Sequence, residues 1–212
     1  IHSVVFAGFS AESLAQRIVD GRSDILITTD AGIRGGKKIE LKSIADEAIA
    51  IASSAGVDVR KTLVTHRVGD GVGSGSPGWN EERDIDLEQL MAEQNTKCEP
   101  AKLDSEDPLF ILYTSGSTGK PKGLLHTQAG YMVFAATTCK YVFDLKQERD
   151  FHFCTADIGW ITGHTYIVYG PLLNGIHTLM FEGTPTYPHP GRLWEVVEKH
   201  SPTTFYTAPT AI

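Results

Sequence analysis

Leu109-Phe110-Ile111-Leu112-Tyr113-Thr114-Ser115-Gly116-Ser117-Thr118-Gly119-Lys120-Pro121-Lys122-Gly123 changes character in its middle. The apolar half, Leu109 to Tyr113, reads as a buried strand. The other half packs four hydroxyl residues, three glycines and two lysines into ten positions. Glycine lets a backbone come close to a ligand, and successive free N–H groups in such a turn form a concavity for anions. Thr114, Ser115, Ser117 and Thr118 add neutral donors, Lys120 and Lys122 add charge, and Pro121 stiffens the turn between them. Gly116 and Gly119 give the close approach a polyphosphate requires. A solvated loop between strand and helix has the same composition, so the residue order must decide. It is not a Walker loop, because Thr114 stands where that pattern puts its first glycine, and it is not a dinucleotide G-x-G-x-x-G.

Upstream, strands alternate with amphipathic helices. Val4–Ala7 is predicted as a strand, followed by a Ser10-capped helix with Leu14, Ile18 and Val19 inside and Gly21 at its end. Asp24–Thr29 and Lys61–Thr65 are strands, and Leu41–Ala55 repeats apolar residues at helical spacing. This alternation makes an α/β chain with parallel strands and right-handed crossovers. Asp84–Gln94 reads as one charged helix, and Gly69–Gly78 as a loop. Asp30 reads as a turn residue at a strand end and His66 as a surface histidine. Downstream, Ala129 to about Lys140 is a helix, Phe151–Thr155 a strand, and Leu193, Val196 and Val197 face inward from a helix that precedes a strand at Thr203–Tyr206.

Nineteen basic against 26 acidic residues leave a net charge of −7, which disfavours nucleic acid and anionic membrane as partners. No apolar run approaches the roughly 20 residues of a membrane span. The cysteines Cys98, Cys139 and Cys154 match neither a zinc site nor a disulfide framework, so a reducing, cytoplasmic setting and no protein-bound metal are expected. Both ends run through apolar, strand-like sequence and read as cut from a longer chain.

The string TSGSTGKPKG is similar, without gaps, to the signature of the acyl-adenylate-forming enzymes. Ala156–Gly175 and Phe181–Ile212 resemble the acetyl-CoA synthetase branch of that family, as does the opening Ile1–Ser10. On residue types alone Trp160 fits a core position and His164 a satisfied polar one. The resemblance instead implies an acyl pocket lined by Trp160, Ile161 and Thr162, with Thr162 also beside the coenzyme A channel. It implies a second coenzyme A contact at Thr186, where the family has asparagine and the shorter threonine reaches less far. Thr114–Gly119 would cradle ATP, and Lys120 and Lys122 would be catalytic through charge.

The implied fold is a layered α/β/α arrangement with mostly parallel sheets: part of the large N-terminal domain over 1–212, with a β-α-β portion at 1–68 and a phosphate-loop and acyl-pocket portion at 105–212. The mobile C-terminal domain and the family's remaining motifs would lie outside these residues. The implied reaction joins acetate to coenzyme A with ATP and Mg2+. Alternatives are a propionyl or other short-chain synthetase, a phosphotransferase, and a non-catalytic nucleotide-binding module.

Overall fold

The computed structural model describes residues 1–69, 71–114 and 121–211. They form two compact units, Ala7–Ala101 and Ile1–Phe6 with Lys102–Ile212.

In the first unit the Ser10 hydroxyl accepts the Ser13 N–H at 3.3 Å and starts α1 (Ala11–Gly21). Ala11, Ala15 and Ile18 recur one helical turn apart and are buried together. The helix runs through Gly21, and it is Arg22 that turns left-handed (φ 46°) to close it. The β1 strand (Ile25–Thr29) leads through a hairpin, β2 (Gly32–Arg34) and β3 (Lys37–Ile39), into α2 (Leu41–Ser54). Gly35 and Gly36 make that two-residue turn with positive φ at both positions, which side-chain-bearing residues resist. The chain returns as β4 (Lys61–Thr65), parallel to β1 from Ile25↔Lys61 to Thr29↔Thr65. The strand order is β1-β4-β5, with β5 at Asp84–Asp86.

Asp84–Gln94 is therefore not one helix. Asp84–Asp86 pairs in parallel with Thr62–Val64, and only Leu87–Ala92 is helical (α3). A strand edge was available to satisfy the first three backbone groups, and the Asp86 carboxylate then caps the helix by accepting the Gln89 N–H at 2.9 Å. Small residues (Ala11, Ala15, Ala48, Ala52) let α1 and α2 pack closely with Ile18, Ile49, Val59 and Leu26. The alternate side chains of β1, Ile25 and Ile27, remain 53% and 64% exposed.

A buried ion network joins α2 to β5. The Lys42 ammonium, on a side chain 5% exposed, lies 2.7 Å from Asp46 and 2.8 Å from Asp84, and donates to the Gly78 carbonyl at 3.0 Å. Arg83 binds the other oxygen of Asp84 at 2.7 Å, so each buried charge has a counter-charge.

The second unit contains an antiparallel hairpin of β6 (Pro108–Thr114) and β7 (Lys122–Thr127). Val4–Ala7 is not a strand here. Among the described residues the start pairs through a parallel bridge from His2 to Phe110, and Val4, Val5 and Phe6 are half-buried without a ladder. After α4 (Gln128–Tyr141) comes a parallel sheet ordered β10-β8-β9, formed by β8 (Phe151–Cys154), β9 (His177–Leu179) and β10 (Thr204–Tyr206).

Both crossovers in this sheet are helical. One is an unbroken run of α5 (Ile161–Gly163), a π-helical stretch (His164–Tyr169) and α6 (Gly170–Leu173); the other is α7 (Arg192–His200). Phe153 and Leu179 from the sheet pack on Leu193 and Val196 of α7. α4 lies so close to the helical run that a Cβ at Gly170 would stand 2.4 Å from the Cys139 sulfur. Helices with mostly parallel sheets are thus what the alternating pattern specifies.

Cys139 and Cys154 are buried, and burial holds both thiols protonated, pushing Cys139 up to about 12. Only Cys98 is exposed. In the native chain one thiol of the three is expected to react with a disulfide reagent at pH 8, the other two appearing only on unfolding. Fast reaction of two or three native thiols would contradict this packing.

Candidate active site

The two hairpin strands flank the Gly/Ser/Thr/Lys run in sequence. Its register pairs Phe110 with His126, Leu112 with Leu124, Tyr113 with Gly123 and Thr114 with Lys122. Thr114, the first residue assigned to the phosphate cradle, and Lys122, the second lysine assigned a catalytic charge, therefore stand opposite one another at the hairpin's end. Gly123 is closely packed there: a Cβ would lie 3.0 Å from the Ile111 side chain and 3.1 Å from the Tyr113 ring, so those side chains would have to give way. Ser115, Gly116, Ser117, Thr118, Gly119 and Lys120 lie outside the described residues.

The segment assigned to the acyl pocket starts the first crossover. The Asp157 carboxylate accepts the Gly159 N–H at 2.7 Å, and the Asp157 carbonyl accepts the Trp160 N–H at 3.1 Å, turning the chain out of β8. Trp160 then precedes α5. The residue is 48% exposed, and its ring meets Phe6 edge-on at 5.1 Å. Ile161 is 41% exposed and Thr162 half-buried. Gly163 has no room for a side chain, because a Cβ would sit 2.1 Å from the Asp157 carbonyl oxygen. The helix start is thereby pressed onto the turn before it, with Trp160 and Ile161 left facing outward. Thr186 is exposed, in the segment between β9 and α7, just before Tyr187 and a cis Pro188.

Beneath hairpin and helix start lies a layer of rings. Phe110 is fully buried, with Tyr131 edge-on at 4.7 Å, His126 stacked at 4.7 Å and His164 tilted at 4.8 Å. Burial lowers the pKa values of His126 and His164, and of His152 on β8. His164 is 3% exposed, and its Nε2 has no partner among the described residues. A histidine whose folded pKa is depressed below its ordinary 6.5 leaves stability intact above 6.5 and costs it as pH falls below that value. The carboxylates Asp30 and Asp150 are shifted downward, so their contribution is lost only in stronger acid. The urea midpoint is therefore expected to drop between pH 7.5 and pH 5.5, and replacing both His152 and His164 by glutamine should flatten that dependence. An unchanged slope in the double variant would show that other groups carry it.

Two further groupings were not legible from residue spacing. Asp30 is 1% exposed and accepts the Thr29 hydroxyl at 2.8 Å and the N–H groups of Ala31 at 2.6 Å, Arg67 at 2.8 Å and Gly69 at 2.6 Å. Burial raises its pKa, but the bonds from Ala31, Thr29, Gly69 and Val68 outweigh this and hold the carboxyl well below the usual range. It is a structural knot tying β1 to the chain beyond β4, more than the simple turn residue expected from its place at a strand end. The second grouping, His66, Asp86 and Glu88, brings three possible ligand atoms within 4.8 Å of one another. These atoms are engaged internally: His66 Nε2 lies 2.9 Å from Asp86, and Glu88 accepts the His66 N–H at 3.2 Å. No ion is needed to explain their convergence.

The described residues thus combine parallel α/β units, a hairpin whose facing residues Thr114 and Lys122 flank the Gly/Ser/Thr/Lys run, and a helix that follows Trp160. The chain belongs to the AMP-binding enzyme family, whose model matches residues 1–212. It is 57% identical over its whole length to the acetyl-coenzyme A synthetase of Sinorhizobium medicae (strain WSM419), 58% to that of Rhizobium meliloti (strain 1021) and 56% to that of Brucella canis. In each case it spans 32% of the relative's length. In fold it is similar to an acetoacetyl-CoA synthetase from Streptomyces lividans, with a TM-score of 0.81 over 96% of this chain and 29% of that one at 24% identity. Among the described residues no helix is long and apolar enough to cross a membrane.

Proposed function

We propose that these residues are part of the large N-terminal domain of a cytoplasmic acetate–CoA ligase, with 1–68 a β-α-β portion and 105–212 the portion carrying phosphate loop and acyl pocket. The observation that carries this reading is identity of 56–58% to acetyl-coenzyme A synthetases over all 212 residues.

Acetate attacks the α-phosphorus of ATP, forming acetyl-AMP and releasing pyrophosphate; the coenzyme A thiolate then displaces AMP at the acyl carbon. Neither half needs a nucleophile from the protein, so the contribution of these residues is placement and charge. Thr114, Ser115, Ser117 and Thr118 donate hydroxyls, Gly116 and Gly119 permit close approach, and Lys120 and Lys122 offset the charge of the departing pyrophosphate. Magnesium arrives with ATP as part of the substrate, held chiefly by phosphate oxygens. Trp160 and Ile161 wall the acetyl group, Thr162 stands between acyl group and thiol, and Thr186 is a coenzyme A contact. The partners are small molecules.

The test is pyrophosphate release by the full-length protein, with acetate and with propionate, in the wild type and in Trp160→Ala. A preference for acetate that relaxes in the variant supports the assignment. ADP as product, or ATP binding without pyrophosphate release, would overturn the ligase reading. An unchanged preference would remove Trp160 from the pocket.

A further inference from the structure

The assigned pocket residues sit at the exposed start of a helical run, where a short α5 passes into a π-helical stretch. A helix start leaves its first N–H groups without intrahelical partners. Here the Trp160 and Ile161 carbonyls accept the His164 N–H, and a side-chain bond to the Ile161 carbonyl adds a further tie.

We propose that Tyr131 is a positioning residue for the acyl pocket, acting through the hydroxyl of Thr165 on the backbone of Ile161. The Tyr131 hydroxyl lies 2.9 Å from Thr165 Oγ1, and that hydroxyl donates to the Ile161 carbonyl at 2.8 Å. A threonine hydroxyl has one proton. With that proton directed at the carbonyl, the bond between the two side chains runs from Tyr131 O–H to Thr165 Oγ1. The relay therefore has a direction: phenol to threonine to backbone. Both side chains are buried, Tyr131 at 7% and Thr165 at 2% exposure, so water cannot stand in for either.

Tyr131 is itself fixed. Its ring meets Phe110 edge-on at 4.7 Å and Tyr169, at the far end of the π-helical stretch, edge-on at 5.3 Å. Phe110 belongs to β6, which ends at Thr114 beside the phosphate turn. The relay thus ties the Ile161 carbonyl, through one buried aromatic contact, to the hairpin that carries the phosphate loop. Burial pushes the Tyr131 hydroxyl up to about 12, so it remains a neutral donor through the working pH range.

This inference rests on the assignment of Trp160–Thr162 to the acyl pocket, and it goes beyond it by naming what sets the pocket's shape. The test uses the full-length protein and compares Tyr131→Phe, Thr165→Val, Thr165→Ser and the Tyr131→Phe/Thr165→Val pair, with Trp160→Ala as the control for the pocket. Tyr131→Phe and Thr165→Val should each raise the KM for acetate about tenfold, while the KM for ATP stays within about twofold, since one buried hydrogen bond is lost near the acyl group only. The pair should be no worse than either single change, because both remove the same relay. Thr165→Ser, which keeps the hydroxyl, should restore the acetate KM relative to Thr165→Val. The Thr165 comparison also stands by itself should Tyr131→Phe fail to fold. Equal increases for acetate and ATP, additive effects in the pair, or no difference between serine and valine would overturn the proposal while leaving the pocket assignment intact. If Trp160→Ala leaves the preference for acetate unchanged, the pocket assignment fails and this proposal with it.

Discussion

Replacing Lys120 and Lys122 together by alanine in the full-length protein is expected to slow adenylate formation about 10²–10³-fold, the usual cost of removing charge stabilisation from a developing anion. Transfer from preformed acetyl-AMP to coenzyme A should change far less. The reason lies in when the charge matters. Pyrophosphate gains negative charge only while it departs, and the second half-reaction contains no such step. Lys122 is exposed at the start of β7 opposite Thr114, so truncating its side chain takes nothing from the buried core. Single-turnover assays of the two half-reactions make the comparison. Equal losses in both would mean that the lysines act on folding or closure.

Asp30→Ala should destabilise the Ala7–Ala101 unit by about 3–4 kcal/mol. The carboxylate is almost fully buried and gathers N–H groups from Ala31, Arg67, Val68 and Gly69 with the Thr29 hydroxyl. Truncation leaves those donors without an acceptor where solvent reaches poorly. Asp30→Asn keeps the shape but turns an amide NH2 toward other donors, so it should recover less than half of the loss. Urea unfolding followed by circular dichroism measures both. A shift below about 1 kcal/mol for Asp30→Ala would mean that water replaces the carboxylate and that the knot contributes little.

The α/β class was already legible in the chain. Apolar spacing is local information, so α1, α2, α4 and α7 and the strands β1, β4, β6, β8 and β10 follow from residues within a turn or two of one another. The glycine, hydroxyl and lysine run is equally a local pattern, and the anion cradle proposed for it would be made from consecutive backbone groups.

Tertiary structure decided what depends on partners distant in sequence. Asp84–Asp86 became a strand because β4 offered an edge, while Val4–Ala7 had a strand's composition but found no edge to pair with. Asp30 is a turn residue by position and a five-donor anchor only because the chain beyond β4 returns over it. The relay from Tyr131 to Ile161 joins residues 34 apart through Thr165, and no periodicity encodes that meeting. Side-chain pattern sets which face of an element is apolar, whereas hydrogen-bond geometry in a buried site is set only once the elements have packed.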